Sequence, residues 1–169
     1  MMEKLLSMFK SRAHMALVVI LAVAFASITA AWGFEIIGGF KPCPLCLQQR
    51  WAYYFAVPLA AILVLLVMTG KISDGLLRAG LVVISLVILA GGVLGGYHAG
   101  VEWGFWTGPT SCTGGGGLSG GLPDLSQKVV LCDKVQIRIF GLSFAGWNAV
   151  VSGFCAVVGF WGAVSDKAK

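Results

Sequence analysis

The stretch Lys41-Pro42-Cys43-Pro44-Leu45-Cys46-Leu47-Gln48-Gln49-Arg50 holds the residues best suited to chemistry. A Cys-x-x-Cys pair can close a small disulfide ring, and it suits redox exchange because one thiol can attack a mixed disulfide made by the other. Pro42 holds Cys43 extended, and Pro44 suits the first turn of a helix, where a missing N–H costs nothing. A helix starting here puts Cys46 in its opening turn and Arg50 one turn later on the same face. Helix N-terminus and guanidinium would then both favour a thiolate at Cys46. A structural disulfide and a metal half-site are the competing readings. The ring is tight for a structural role, and a c-type haem site needs His where Leu47 stands. Redox chemistry is the preferred reading.

Cys112 and Cys132 form a second, wider pair. They bracket a glycine-rich run at 114–117, 120 and 121, whose composition predicts mobility unless it is stapled. Two readings stand level: a disulfide that tethers the loop, and a mobile, exposed disulfide open to attack by another protein's thiolate. The second pair lacks Cys-x-x-Cys spacing, so a four-cysteine zinc site is not favoured and no metal is expected. The total of five cysteines leaves at least one without a partner in the chain. That one is expected to be Cys155, which sits mid-span and reads as a small apolar residue. His98 closes an apolar run one turn before Glu102, and by itself reads as a satisfied interfacial histidine. Arg50 by itself could equally be a headgroup anchor. No phosphate loop, carboxylate pair, serine triad or metal-ligand helix is visible.

The elements that must position these residues are membrane spans. The chain is 58% hydrophobic and 11% charged, with a mean hydropathy of +0.90, against about a quarter charged in soluble domains. An integral membrane protein follows, and one compact membrane domain over 1–169 fits the length. Spans are expected at about 13–34, 51–69, 76–97 and 142–164, with a long polar loop over 98–141. The first run is too long for the core of a signal peptide, although Thr29-Ala30-Ala31 loosely resembles a cleavage site, so a retained helix is expected. Pro58 falls inside the second span. Gly91, Gly92, Gly95 and Gly96 form overlapping small-x-x-x-small pairs that allow close helix approach. The segment 135–140 could lie along the membrane surface.

Four spans put both termini on one side, with Lys4, Lys10, Arg12, Lys71, Arg78, Lys167 and Lys169 against Glu3, Asp74 and Asp166. The opposite side holds Lys41, Arg50, Lys128, Lys134 and Arg138, offset by Glu35, Glu102, Asp124 and Asp133. The first side is the more basic and is expected to be cytoplasmic. All four loop cysteines then fall outside, where disulfides persist. The fold class is an all-α four-helix membrane bundle with two outer loops, each carrying a cysteine pair.

In this order, the features resemble the DsbB family of quinone-linked membrane thiol oxidases. The resemblance rests on Cys43-Pro44-Leu45-Cys46 with Arg50, on Tyr97-His98 followed by Cys112, and on Gly141-Leu142 and Trp147 after Cys132. Ile137 stands where the family often has an aromatic residue. The resemblance implies that reduced DsbA, a periplasmic thioredoxin-fold protein, attacks a Cys112–Cys132 disulfide at Cys112. Cys132 then passes electrons to the Cys43–Cys46 pair, and Cys46 hands them to ubiquinone or menaquinone. It further implies that Arg50 steadies the Cys46 thiolate, that His98 lies in the quinone pocket, and that the location is the bacterial inner membrane. Two other readings remain. One is a thiol–quinone enzyme like the vitamin K epoxide reductases, whose active pair lies near a late helix. The other is a non-catalytic membrane subunit braced by disulfides.

Overall fold

The computed structural model describes residues 11–109, 112 and 131–164. The glycine-rich run and the basic residues Lys4, Lys10, Lys128, Lys167 and Lys169 lie outside them. Four helices make up the bundle: α1 (Arg12–Ile36), α2 (Pro44–Thr69), α3 (Asp74–Glu102) and α4 (Phe144–Ala163). Each is long and apolar enough to cross a membrane. The chain is a four-helix membrane protein, as its composition led us to expect.

Local sequence explains where the helices begin. Ser11, Ser73 and Ser143 cap α1, α3 and α4, each side-chain oxygen accepting a backbone N–H from the first turn. The cap of α2 is Cys43 itself, whose sulfur accepts from the Cys46 N–H, and Pro44 follows at the start of the helix. α2 therefore begins well before position 51, and it runs on across Pro58 to Gly70. At φ 69° Gly70 adopts the left-handed conformation that closes many helices. α3 extends to Glu102, past the expected end at 97, which brings His98 and Glu102 inside its last turns.

The segment 98–141 is not all loop. Arg138–Ile139 (β1) and Leu142–Ser143 (β2) pair antiparallel, with Arg138 opposite Ser143 and Ile139 opposite Leu142. The two residues between them, Phe140 and Gly141, have φ of 51° and 87°. Two positive φ values are what a tight two-residue hairpin needs. Phe140 stands at its tip, 93% exposed. The hairpin feeds straight into the cap of α4.

Leu17 and Ile20 of α1, Ala56 and Ala60 of α2, Leu81, Ile84 and Ile88 of α3, and Cys155 of α4 pack in one buried core. Phe25, Ile62, Leu65, Val83, Leu86, Val93, Phe154 and Val157 stay exposed, as lipid-facing positions do. The broadest helix contact is between α3 and α4, and its closeness rests on glycine. A Cβ at Gly92 would stand 2.8 Å from Ser152 Cβ. At Gly95 it would stand 2.8 Å from Asn148 Nδ2 and 3.1 Å from the Ala145 carbonyl. Gly91 makes the same approach to Ala52 of α2, whereas Gly96 meets nothing within 4 Å. Three of the four glycines are thus packing surfaces.

Candidate active site

The topology brings all four loop cysteines to one end of the bundle, the end of α1 and α3 and the start of α2 and α4. Cys112 and Cys132 are joined by a disulfide that is buried rather than exposed, because it packs on Cys43 and Leu45, and Cys43 and Cys46 are free. Cys43, Leu45, Cys112 and Cys132 form one buried cluster, with Cys46 and Leu94 packed against it. The sulfurs of Cys43 and Cys46 are 2.7 Å apart.

The two thiols face different surroundings. Cys43 is buried against the loop disulfide. Its sulfur accepts the Cys46 N–H at 3.2 Å and lies 3.7 Å from His98 Nε2. The helix N-terminus expected to favour a thiolate at Cys46 thus aims its free N–H at Cys43, because Cys43 occupies the cap and Cys46 the turn that donates to it. Hydrogen bonding from the Cys46 thiol is the largest effect on Cys43. With smaller help from His98 and the Cys46 N–H, and against the opposing effect of burial, it lowers the Cys43 thiol to about 5.

Cys46 lines a cavity of about 310 Å³ between α1, α2 and α4. Its walls are largely apolar, with Phe34, Phe40, Phe144 and Val151, and carry a few polar groups, among them Gln49, Arg50, Tyr53 and Asn148. A mostly apolar cleft with few placed polar groups is the usual form of a small-molecule site. Arg50 sits in this wall, paired with Glu35 of α1 and donating to the Ala31 carbonyl at 3.4 Å. Its charge-assisted partner fixes the guanidinium at the cavity rather than leaving it to range into the headgroups.

His98 is 2% exposed and does not line the cavity. It stands behind Cys43, with Nε2 3.2 Å from the Cys132 carbonyl and 3.9 Å from Glu102 Oε1. Glu102 is in turn bonded by the hydroxyl of Ser143, the cap of α4. On its other side His98 Nδ1 is 2.9 Å from Gln49 Nε2. From Gln49 a chain of polar side chains crosses the bundle. Asn148 Nδ2 donates to Gln49 Oε1 at 2.8 Å, Tyr53 donates to Asn148 Oδ1 at 2.7 Å, and Tyr53 and Ser152 hydroxyls are 2.9 Å apart. Cys43, Cys46 and His98 are the one group at metal-ligand spacing among the described residues.

Sequence reasoning singled out the four cysteines, Arg50 and His98, and the structure gathers all of them at this end. It passed over Glu35, Gln49, Tyr53, Asn148 and Ser143. The available signal was their polarity within apolar spans, since an ionisable or amide side chain at membrane depth is costly unless it is used or partnered.

Residues 12–162 match the family model described as disulfide bond formation protein DsbB. Disulfide bond formation protein B of Herminiimonas arsenicoxydans is 30% identical over 144 residues, covering 78% of this chain and 85% of that protein. Disulfide bond formation protein B of Aromatoleum aromaticum is 33% identical over 128 residues, covering 70% of this chain and 73% of that protein. A Rickettsia prowazekii protein, uncharacterized protein RP370, is 26% identical over 150 residues, covering 85% of this chain and 83% of that protein. No solved structure matches the chain.

Proposed function

Since this chain belongs to the DsbB family and is thereby an oxidoreductase acting on protein thiols, we propose that it reoxidises a periplasmic DsbA-type protein and passes the electrons to a membrane quinone. The observation that carries this reading is the division of labour within the Cys-x-x-Cys pair. Cys43 packs on the Cys112–Cys132 disulfide, and Cys46 opens onto the apolar cavity beside Arg50. Electrons entering at the loop pair thus have a short route through Cys43 to Cys46 and the cavity.

The donor's thiolate attacks Cys112, breaking the loop disulfide and freeing Cys132 as the leaving thiolate. The donor's second thiol then displaces Cys112, so the donor leaves oxidised and both loop cysteines are reduced. Cys132 attacks Cys43 of a Cys43–Cys46 disulfide and frees Cys46. Cys112 attacks Cys132 and frees Cys43, which restores the loop disulfide. The net result is two electrons and two protons moved from donor to Cys43 and Cys46. A quinone in the cavity would accept both electrons and both protons as that pair closes again. Phe34, Phe40 and Phe144 suit a flat apolar ring, and the Arg50 guanidinium suits an oxygen that gains charge. For His98 we propose a role beside Cys43, where its position supports donation to that sulfur. Charge distribution supports both termini lying in the cytoplasm and the cysteine loops in the periplasm of a bacterial inner membrane.

The donor half is tested by mixing the oxidised protein with a DsbA whose second active-site cysteine is replaced by Ala. The expected product is a mixed disulfide to Cys112, absent in Cys112→Ser. A folded protein that forms none with any DsbA-type donor would sink this half of the reading.

A further inference from the structure

The polar chain behind Cys43 has a direction. Asn148 Nδ2 faces the Gly91 carbonyl at 3.1 Å as well as Gln49 Oε1. Gln49 Nε2 faces the Leu45 carbonyl at 3.2 Å as well as His98 Nδ1. A backbone carbonyl can only accept, so each amide must turn its nitrogen toward it. With both amides anchored in this way, the group that Gln49 offers to His98 is an N–H, and Nδ1 must accept it. A neutral imidazole that accepts at Nδ1 carries its proton on Nε2. Nε2 in turn faces the Cys132 carbonyl, again an acceptor only, and the Cys43 sulfur. Every link agrees.

We infer that Gln49 and Asn148 are positioning residues that fix the tautomer of His98, holding its Nε2–H toward the Cys43 sulfur and the Cys132 carbonyl. Neither touches the reacting sulfurs; both act through the imidazole. The consequence for catalysis rests on the thiol-oxidase reading. When Cys43 leaves a disulfide as a thiolate, a donor already faces it and no proton has to be rearranged within the ring first. The same tautomer turns the imidazole lone pair toward Gln49, so the Cys43, Cys46 and His98 group lacks the nitrogen donor that a metal would need. Gln49 and Asn148 also line the cavity. The groups facing Cys43 are Cys46 on its own helix, His98 on α3, whose Nε2 is in turn 3.9 Å from Glu102 Oε1, and the Cys112–Cys132 disulfide.

The test is a long-range proton–nitrogen correlation spectrum of the full chain labelled with ¹⁵N-histidine. The protein has only two histidines, and a His14→Ala sample assigns them. Wild-type His98 is expected as the Nε2–H form. Gln49→Leu removes the Nδ1 donor and is expected to give a mixture of forms. Gln49→Glu offers only an acceptor when ionised and is expected to move the proton to Nδ1. In the reduced protein, ultraviolet thiolate absorbance read against Cys43→Ser is expected to show the Cys43 midpoint rising in Gln49→Leu by about one pH unit, a tenfold effect. The neighbouring Gln48 is exposed, and Gln48→Leu is expected to change neither signal. An Nδ1–H form in the wild type, or an unchanged spectrum in Gln49→Leu, would overturn the inference. Should Gln49→Leu fail to fold, the wild-type spectrum still decides. Neither readout involves a donor or a quinone, so a protein that shows the Nε2–H form yet oxidises no thiol would overturn the functional reading and leave the positioning intact.

Discussion

Replacing Gly95 by Ala tests whether α3 and α4 are as close as the site requires. The new Cβ would lie 2.8 Å from Asn148 Nδ2, 3.1 Å from the Ala145 carbonyl and 3.1 Å from the Ala149 nitrogen. Two of these three atoms are backbone, so the strain is relieved only by moving a helix. Overpacking of this kind costs about 1–3 kcal/mol. Any glycine-to-alanine change in a helix also gains up to about 1 kcal/mol in propensity. Gly96→Ala carries that gain without the clash, because nothing lies within 4 Å of its Cβ. The propensity gain cancels between the two variants and leaves the overpacking cost. At about 2–4 °C for each kcal/mol in a chain of this size, Gly95→Ala should melt several degrees below Gly96→Ala. The assay is thermal unfolding of both purified proteins in one detergent. Because the clash falls on Asn148, Gly95→Ala should also disturb the His98 tautomer. Equal melting temperatures would refute the close approach of α3 and α4.

Four further outcomes are expected. In the reduced protein, the thiolate signal of Cys43 should persist down to about pH 5 and vanish below it, because a lowered pKa keeps the charged form on its alkaline side. Cys46→Ser should move that midpoint, since the Cys46 thiol is the largest influence on it. Ser143→Ala removes both the cap of α4 and the donor to Glu102; a loss of about 1 kcal/mol or more is expected, measured as a lower melting temperature, with Ser143→Thr recovering part of it. Arg50→Gln breaks the pair with Glu35 at the cavity wall, and should raise the KM for quinone while leaving formation of the donor mixed disulfide unchanged.

The four spans were legible because each is a long apolar run and the bilayer imposes its length. The start of α2 was legible as well, since Pro42, Cys43 and Pro44 are local signals for a cap and a first turn. What happens to the thiols was not. The sequence places Cys46 near a helix N-terminus, but only in the folded chain is it evident that Cys43 takes the cap and receives the N–H. His98 and Gln49 are far apart in sequence, and no spacing rule connects them. Their contact follows from how α2 and α3 cross, which depends on glycines whose pattern looked like general packing. The hairpin at Phe140 was missed because its central residues, Phe-Gly, lack the Asn-Gly or Asp-Gly signature of a two-residue turn.

The most direct test of the whole account follows quinone absorbance while purified protein is mixed anaerobically with reduced DsbA and ubiquinone or menaquinone, alongside Cys46→Ser. Loss of the oxidised-quinone signal is expected with the wild type only, with one DsbA disulfide formed for each quinone reduced. A folded wild-type protein that reduces no quinone with any DsbA-type donor, or a Cys46→Ser variant that turns over as fast as the wild type, would contradict it.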